Sequence, residues 1–257
     1  SQRFDKENIF QNLRTGLESF PAEFLIFAGH VNELEFEIPE YFFHRSISCD
    51  RQNSEKIDSI GDISYQKIRI NEGGGRIKEW LLAERREVAI STSAGEEGNQ
   101  LQRNRRRDKD TNELLPVPIS WAVPLFRTLQ RGAFWLFFPT DDMSTVKGIM
   151  NAPWDTNNER TQVLITPYNE FLLKQLAELI VKSIPVLVAQ FPDDKGHYLD
   201  YLPARGAEEP SRASTLLVEE VKQAMSEFET LLDLDGTLRR PSTMRKIPTE
   251  LLNLKST

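Results

Sequence analysis

The sequence predicts an α+β fold in which an antiparallel or mixed sheet packs against long helices. Short apolar segments separated by turn chemistry occupy residues 24 to 138, as strands do. Beyond residue 165, two long runs carry apolar side chains at helical spacing. The 257 residues, 39% hydrophobic and 28% charged, suffice for one large domain or two small ones and exclude wholesale disorder. A strand-rich N-terminal half therefore precedes a helix-rich C-terminal half.

The first helix spans Lys6 to Phe20, with Ile9, Phe10, Leu13, Leu17 and Phe20 on one face, and Pro21 stops it. Phe24-Leu-Ile-Phe27 is a continuous apolar run and reads as a short strand. Val31 to Ile38 reads as a strand that alternates from Leu34 onward. Tyr65 to Ile70, Ile77 to Leu82 and Glu87 to Ile90 continue an antiparallel meander, broken most clearly at Gly73-Gly74-Gly75. Ser93 to Asn112 is nearly devoid of apolar residues and is expected to be a long mobile connection. Strands resume at Val117 to Leu125 and Ala133 to Phe138. A long helix is expected from Asn169 to about Ala189, kinked or ended by Pro185, and another from Ser214 to Leu232. Residues 190 to 210 read as irregular, and Leu234 to Leu238 as a tight turn between two short extended pieces. The organisation is thus an α+β domain over 1–190, with its basic loop near 93–112, and a helical extension over 191–257.

Several classes of chemistry drop out. There are 32 basic and 39 acidic side chains, a net charge of −7, which argues against a surface devoted to nucleic acid but leaves room for a local patch. The single cysteine, Cys49, excludes an intramolecular disulfide, and His30, His44 and His197 share no metal-ligand spacing. No apolar run reaches the length of a membrane span, and no secretory leader opens the chain. With Ser1 in place of an initiating methionine, the expectation is a soluble cytoplasmic piece of a longer polypeptide. No nucleophile elbow or Walker lysine loop occurs. Glu72-Gly-Gly-Gly-Arg76 lacks the helix that would aim amides at a phosphate, so it reads as a hairpin turn. Asp141-Asp142 and Asp193-Asp194 read as solvated turn residues.

The informative segment runs from Gly132 to Leu164. An apolar strand ends in Phe137-Phe138-Pro139; after a turn-rich stretch come Asn157, Asn158, Arg160 and Gln162, then a long helix. Arginine is always charged and offers a planar fork of donors, which suits phosphate oxygens. Asn157 and Asn158 can bond the loop backbone and so hold that arginine in one direction. The aromatic cluster Phe134, Trp135, Phe137, Phe138 and Trp154 reads as core packing rather than a base-stacking platform, because alternation gives the strand two apolar faces.

This pattern resembles the middle, or transducer, domain of the GHKL ATPases (gyrase, heat-shock protein ninety, histidine kinase and MutL relatives), closest to the bacterial sacsin-like branch. The strand into Phe-Phe-Pro, then Asn-x-x-Arg and a helix, is similar to the catalytic-loop region of the chaperone's middle domain. The resemblance extends more loosely to Phe24 to Leu34 and to Leu234 to Ser242. It implies a ribosomal-protein-like transducer fold in which Arg160 reaches the γ-phosphate of ATP, supported by Asn157, Asn158 and Gln162. The catalytic Glu, magnesium-binding Asn, adenine loop and lid of such a site do not occur in this chain. ATP and Mg would therefore be held mainly by a preceding nucleotide-binding domain, the first expected partner. The resemblance also implies ATP-driven dimerisation and a place in a bacterial defence or chaperone-like system. An alternative function is nucleic-acid binding through Arg103, Arg105, Arg106, Arg107 and Lys109, whose binding should fall steeply with salt.

Overall fold

One eight-stranded sheet organises the computed structural model, which describes residues 6–86, 117–126, 129–203, 206 and 208–245. The expected strand Glu87 to Ile90 and the basic segment Arg103 to Lys109 lie outside the described residues. Helices α1 (Lys6–Glu18) and α2 (Phe24–Phe27) precede the strands. These are β1 (Glu33–Ile38), β2 (Phe43–Ile60), β3 (Ile63–Asn71), β4 (Ile77–Arg85), β5 (Ile119–Pro124), β6 (Gly132–Leu136), β7 (Phe138–Ser144) and β8 (Ile149–Asn151). Helices α3 (Pro167–Lys182), α4 (Ile184–Gln190) and α5 (Arg212–Glu227) follow, then a small hairpin of β9 (Leu231–Leu232) and β10 (Leu238–Arg239). The sheet order is β1-β2-β3-β4-β5-β8-β6-β7; every pair is antiparallel except β6 with β8. The fold class is mixed α+β with a mostly antiparallel sheet.

Side-chain alternation splits the interior into two cores on opposite faces of the sheet. On β4, Leu81 and Ala83 join the larger core with α3 and α5, while Trp80 and Leu82 join the smaller one with α2. On β6, Phe134 and Trp135 divide the same way. Tyr198, Tyr201, Leu217 and Val221 belong to the larger core, so residues beyond 190 pack on the same sheet. The smaller core is wrapped rather than layered. The Phe20 ring lies 5.4 Å from Phe36 of β1 and 6.2 Å from Phe138 of β7. Flat, eight strands would hold their edges roughly 33 Å apart, so the sheet curls around α2.

Several local expectations change, and one strand forms where none was expected. Phe24 to Phe27 forms a helical turn rather than a strand, because a short buried apolar run has no period to distinguish the two. Its turn satisfies its own amides: those of Phe24, Leu25 and Ile26 bond Pro21, Ala22 and Glu23 carbonyls. Strand β2 carries a polar stretch with little alternation, and its pairing with β1 and β3 overrides local propensity. The long helix starts at Pro167 and breaks at Ser183, with Pro185 in the first turn of α4. Phe137 has φ +62°, which ends β6 two residues early, at Leu136, and leaves Phe137 and Phe138 about half exposed rather than in the core. Asp141 and Asp142 also lie within β7 instead of a free turn.

Two close approaches fix the β5-β8-β6 order. A Cβ on Gly132 would sit 2.0 Å from the Val146 carbonyl oxygen. Gly148, at φ +106°, would meet Trp121 Nε1 at 2.6 Å. Gly148→Ala should cost at least about 2 kcal/mol in urea unfolding, since backbone and indole cannot retreat. Gly74→Ala, at φ +60° in open space, should cost only about 1 kcal/mol. Burial pushes the Tyr201 hydroxyl from 10.0 up to about 12, while it donates 2.7 Å to the Pro124 carbonyl. The folded chain thus keeps a proton that the unfolded chain loses. Stability should be fully present below pH 10 and fall between about pH 10 and 12, less steeply in Tyr201→Phe.

Candidate functional site: a braced hairpin finger

The chain leaves β8 at Asn151 and re-enters regular structure at Pro167. Trp154 anchors the departure; it is buried, edge-on to Phe134 at 5.5 Å. Residues 155–164 then form a narrow hairpin closed by three rungs. Leu164 donates to the Asp155 carbonyl at 2.9 Å, Thr156 bridges Val163, and Asn157 donates to the Gln162 carbonyl at 3.1 Å. At the tip Arg160 N–H returns to the Asn157 carbonyl at 3.0 Å, and Arg160 takes φ +58°. A tight turn closed by a left-handed residue is a common hairpin closure, normally with glycine there.

Three sets of hydrogen bonds brace this finger. Inside it, Asn157 Oδ1 accepts from the amides of Thr161 at 2.8 Å and Gln162 at 3.2 Å, and its Nδ2 donates to Thr161 Oγ1 at 2.8 Å. Along its side, Asp141 N–H donates to the Thr161 carbonyl at 2.8 Å, and Asp142 Oδ2 accepts from Val163 N–H at 2.6 Å. At its base stands Asn169, wholly buried in the first turn of α3. Its Nδ2 donates to the carbonyls of Asp155 and Leu164, both at 2.7 Å, and its Oδ1 accepts from Asp155 N–H at 2.9 Å. Thr166 caps α3 through Asn169 N–H and donates to Asp155 Oδ2 at 3.1 Å.

The predicted site residues distribute unevenly on this frame. Asn157 is the internal hub. Asn158 and Gln162 are exposed, and their side chains make no hydrogen bond among the described residues. Arg160 is exposed and its guanidinium has no acidic or hydrogen-bonding partner among the described residues. From sequence, Asp142 reads as a solvated turn residue and Asn169 only as the start of a helix, while Thr166 and Asp155 have no assigned role. Thr166 followed by Pro167 is an N-cap with proline at the first helical position, a readable signal that moves the helix start towards the finger.

Elsewhere the described residues hold no cluster of three or more His, Cys, Asp or Glu able to bind a metal ion. No helix among them is long and apolar enough to cross a membrane. A cavity of about 620 Å³ between the ends of β2, β3 and β4 mixes Lys56, Asp62 and Glu84 with Ser64 and Gln66, without a nucleophile–base pair. Comparison with known protein families, curated proteins and solved structures finds no match to this chain.

The finger's energetics are testable apart from any activity. Asn157→Ala removes three hydrogen bonds and should lower stability by about 2 kcal/mol. Arg160→Gly relieves a left-handed side chain and should leave stability unchanged or raise it by up to about 1 kcal/mol. Paired urea melts distinguish the two.

Proposed function

We propose that this chain is the transducer-like middle segment of a GHKL-type ATPase, presenting Arg160 to the γ-phosphate of ATP held by a preceding domain. One observation carries the reading. A guanidinium with no partner among the described residues stands at the tip of a hairpin whose backbone is bonded at every level, on a residue with φ +58° where glycine would be easier. A strained, exposed, charged residue kept in an over-determined setting is a functional candidate.

The chemistry asked of Arg160 is charge stabilisation. As the phosphoryl group transfers, negative charge spreads over its oxygens, and a planar fork of donors meets them without reorganising. Such an arginine is worth about a thousandfold or more in rate. Magnesium would travel with the nucleotide in the preceding domain, as the resemblance implies.

Coupling follows from the base of the finger. Asn169 belongs both to the finger and to α3, so a pull on Arg160 reaches the helix. From α3, Gln175 accepts 2.8 Å from Arg85 Nη1, and buried Arg85 pairs with Asp62 at 2.6 Å. Engagement with phosphate would thereby favour one of two arrangements of this segment against its neighbour. ATP-driven dimerisation and a role in bacterial defence or a chaperone-like system rest on the resemblance alone.

The test is ATP turnover by the parent polypeptide, nucleotide-binding domain included, with Arg160 and with Arg160→Ala or Arg160→Gly. A fall of about a hundredfold or more with ATP binding little changed is expected. Unchanged turnover in folded variants would refute the assignment.

A further inference from the structure

Strand β1 is one edge of the sheet; the opposite edge strand, β7, is already engaged by the finger through Thr161. Register decides which β1 residues turn their backbones outward. Cys49 N–H donates to the Asn32 carbonyl at 2.7 Å, which makes that pair a hydrogen-bonded one. Every second pair repeats it, so Leu34, Phe36 and Ile38 spend their amides on Ile47, Arg45 and Phe43. Glu33, Glu35 and Glu37 therefore direct their N–H and C=O groups to the free edge, with no hydrogen bond to them among the described residues.

The same alternation sorts the side chains. Leu34, Phe36 and Ile38 are half-buried, whereas Glu33, Glu35 and Glu37 are exposed on the opposite face. Their cross-strand neighbours on β2, Ser48, Ser46 and His44, bring no lysine or arginine. Ser46 donates to Glu33 at 3.2 Å and His44 lies 2.9 Å from Glu35, while Glu37 has no partner among the described residues. Two strands further in, Glu79 of β4 is flanked by Arg69 at 2.9 Å and Lys67 at 3.3 Å. Among the described residues, the edge strand of this face carries three carboxylates with no lysine or arginine beside them.

An antiparallel strand added here would place its residues opposite Glu33, Glu35 and Glu37 in hydrogen-bonded pairs, side chains on the carboxylate face. Its intervening residues would fall beside Leu34, Phe36 and Ile38. A second copy of β1 is the wrong occupant, since carboxylates would oppose carboxylates. We propose that the β1 edge accepts, as a ninth strand, an extended segment of a partner protein in which lysine or arginine at every second position alternates with apolar residues. The three glutamates then both block self-pairing and select the guest by charge. This inference stands independently of the role of Arg160.

Titration of the 257-residue chain with short synthetic peptides tests it. The probe is a peptide alternating lysine with valine; its controls are the same composition with lysines grouped at one end, and the alternating peptide N-methylated on its edge-facing amides. Expected are salt-dependent binding of the alternating probe, slowed amide exchange at Glu33, Glu35 and Glu37, and at least about tenfold weaker binding by both controls and by Glu35→Lys. Glu35 is exposed and outside both cores, and the amide-exchange arm uses the unaltered chain. Absence of binding at millimolar probe would overturn the proposal. So would equal binding of the N-methylated peptide, which would reduce the contact to charge attraction without strand addition.

Discussion

The approach of Gly132 to the turn at Val146–Gly148 is the constraint on which the site depends. Only residues without a Cβ let β6 pass that close, and the passage leaves a slot between β5 and β6 that β8 fills. Because β8 then runs parallel to β6, both strands end on the same side of the sheet. The Phe137 turn that follows β6 and the finger that follows β8 therefore emerge together, joined where Asn151 Oδ1 accepts from Phe137 N–H at 2.9 Å. An antiparallel β8 would have sent the finger to the other end.

Holding a left-handed arginine at the finger tip costs on the order of 1–2 kcal/mol. Around it stand hydrogen bonds worth about 1 kcal/mol each, several of them shielded from water at Asn169. The strain persists because the bracing exceeds it, and because each brace fixes the backbone rather than the Arg160 side chain. The guanidinium has no partner among the described residues while the backbone at its root is braced, which is the property a charge-stabilising contact needs.

Curling the sheet around α2 gives the protein two edges to manage, and it uses different means at each. At β7 the finger supplies a carbonyl and an amide to the edge, so the segment that carries Arg160 also closes the sheet there. At β1 no backbone among the described residues covers the edge, and carboxylates stand on it instead. The concave core meanwhile relies on phenylalanines from both margins, with Phe24 stacked on Phe138 at 4.9 Å. The same Phe-Phe-Pro sequence that reads as pure core thus serves as the rim of that core, half exposed.

The sequence by itself determined the fold class, the Gly73–Gly75 turn and the presence of two long helical stretches at α3–α4 and α5, because these rest on local period and turn chemistry. It carried the second of them to Leu232, whereas α5 stops at Glu227 and Leu231–Leu232 pair as β9. It also marked Asn157 and Arg160 as neighbours in one loop. It did not reveal Asn169, whose three bonds bridge residues far enough apart in the chain to share no pattern, nor Asp142, which reads as a turn residue until β7 is laid beside the finger. Strand β2 was hidden for a related reason: its polar middle carries no alternation, and its partners dictate its conformation. The helical turn at Phe24 was decided by the hollow it fills, since a four-residue apolar run is compatible with either state. Tertiary structure alone decided that β8 runs parallel to β6, and with it the direction in which Arg160 points. That choice is made by the space missing at two glycines, a property of contacts distant in sequence that no local pattern records.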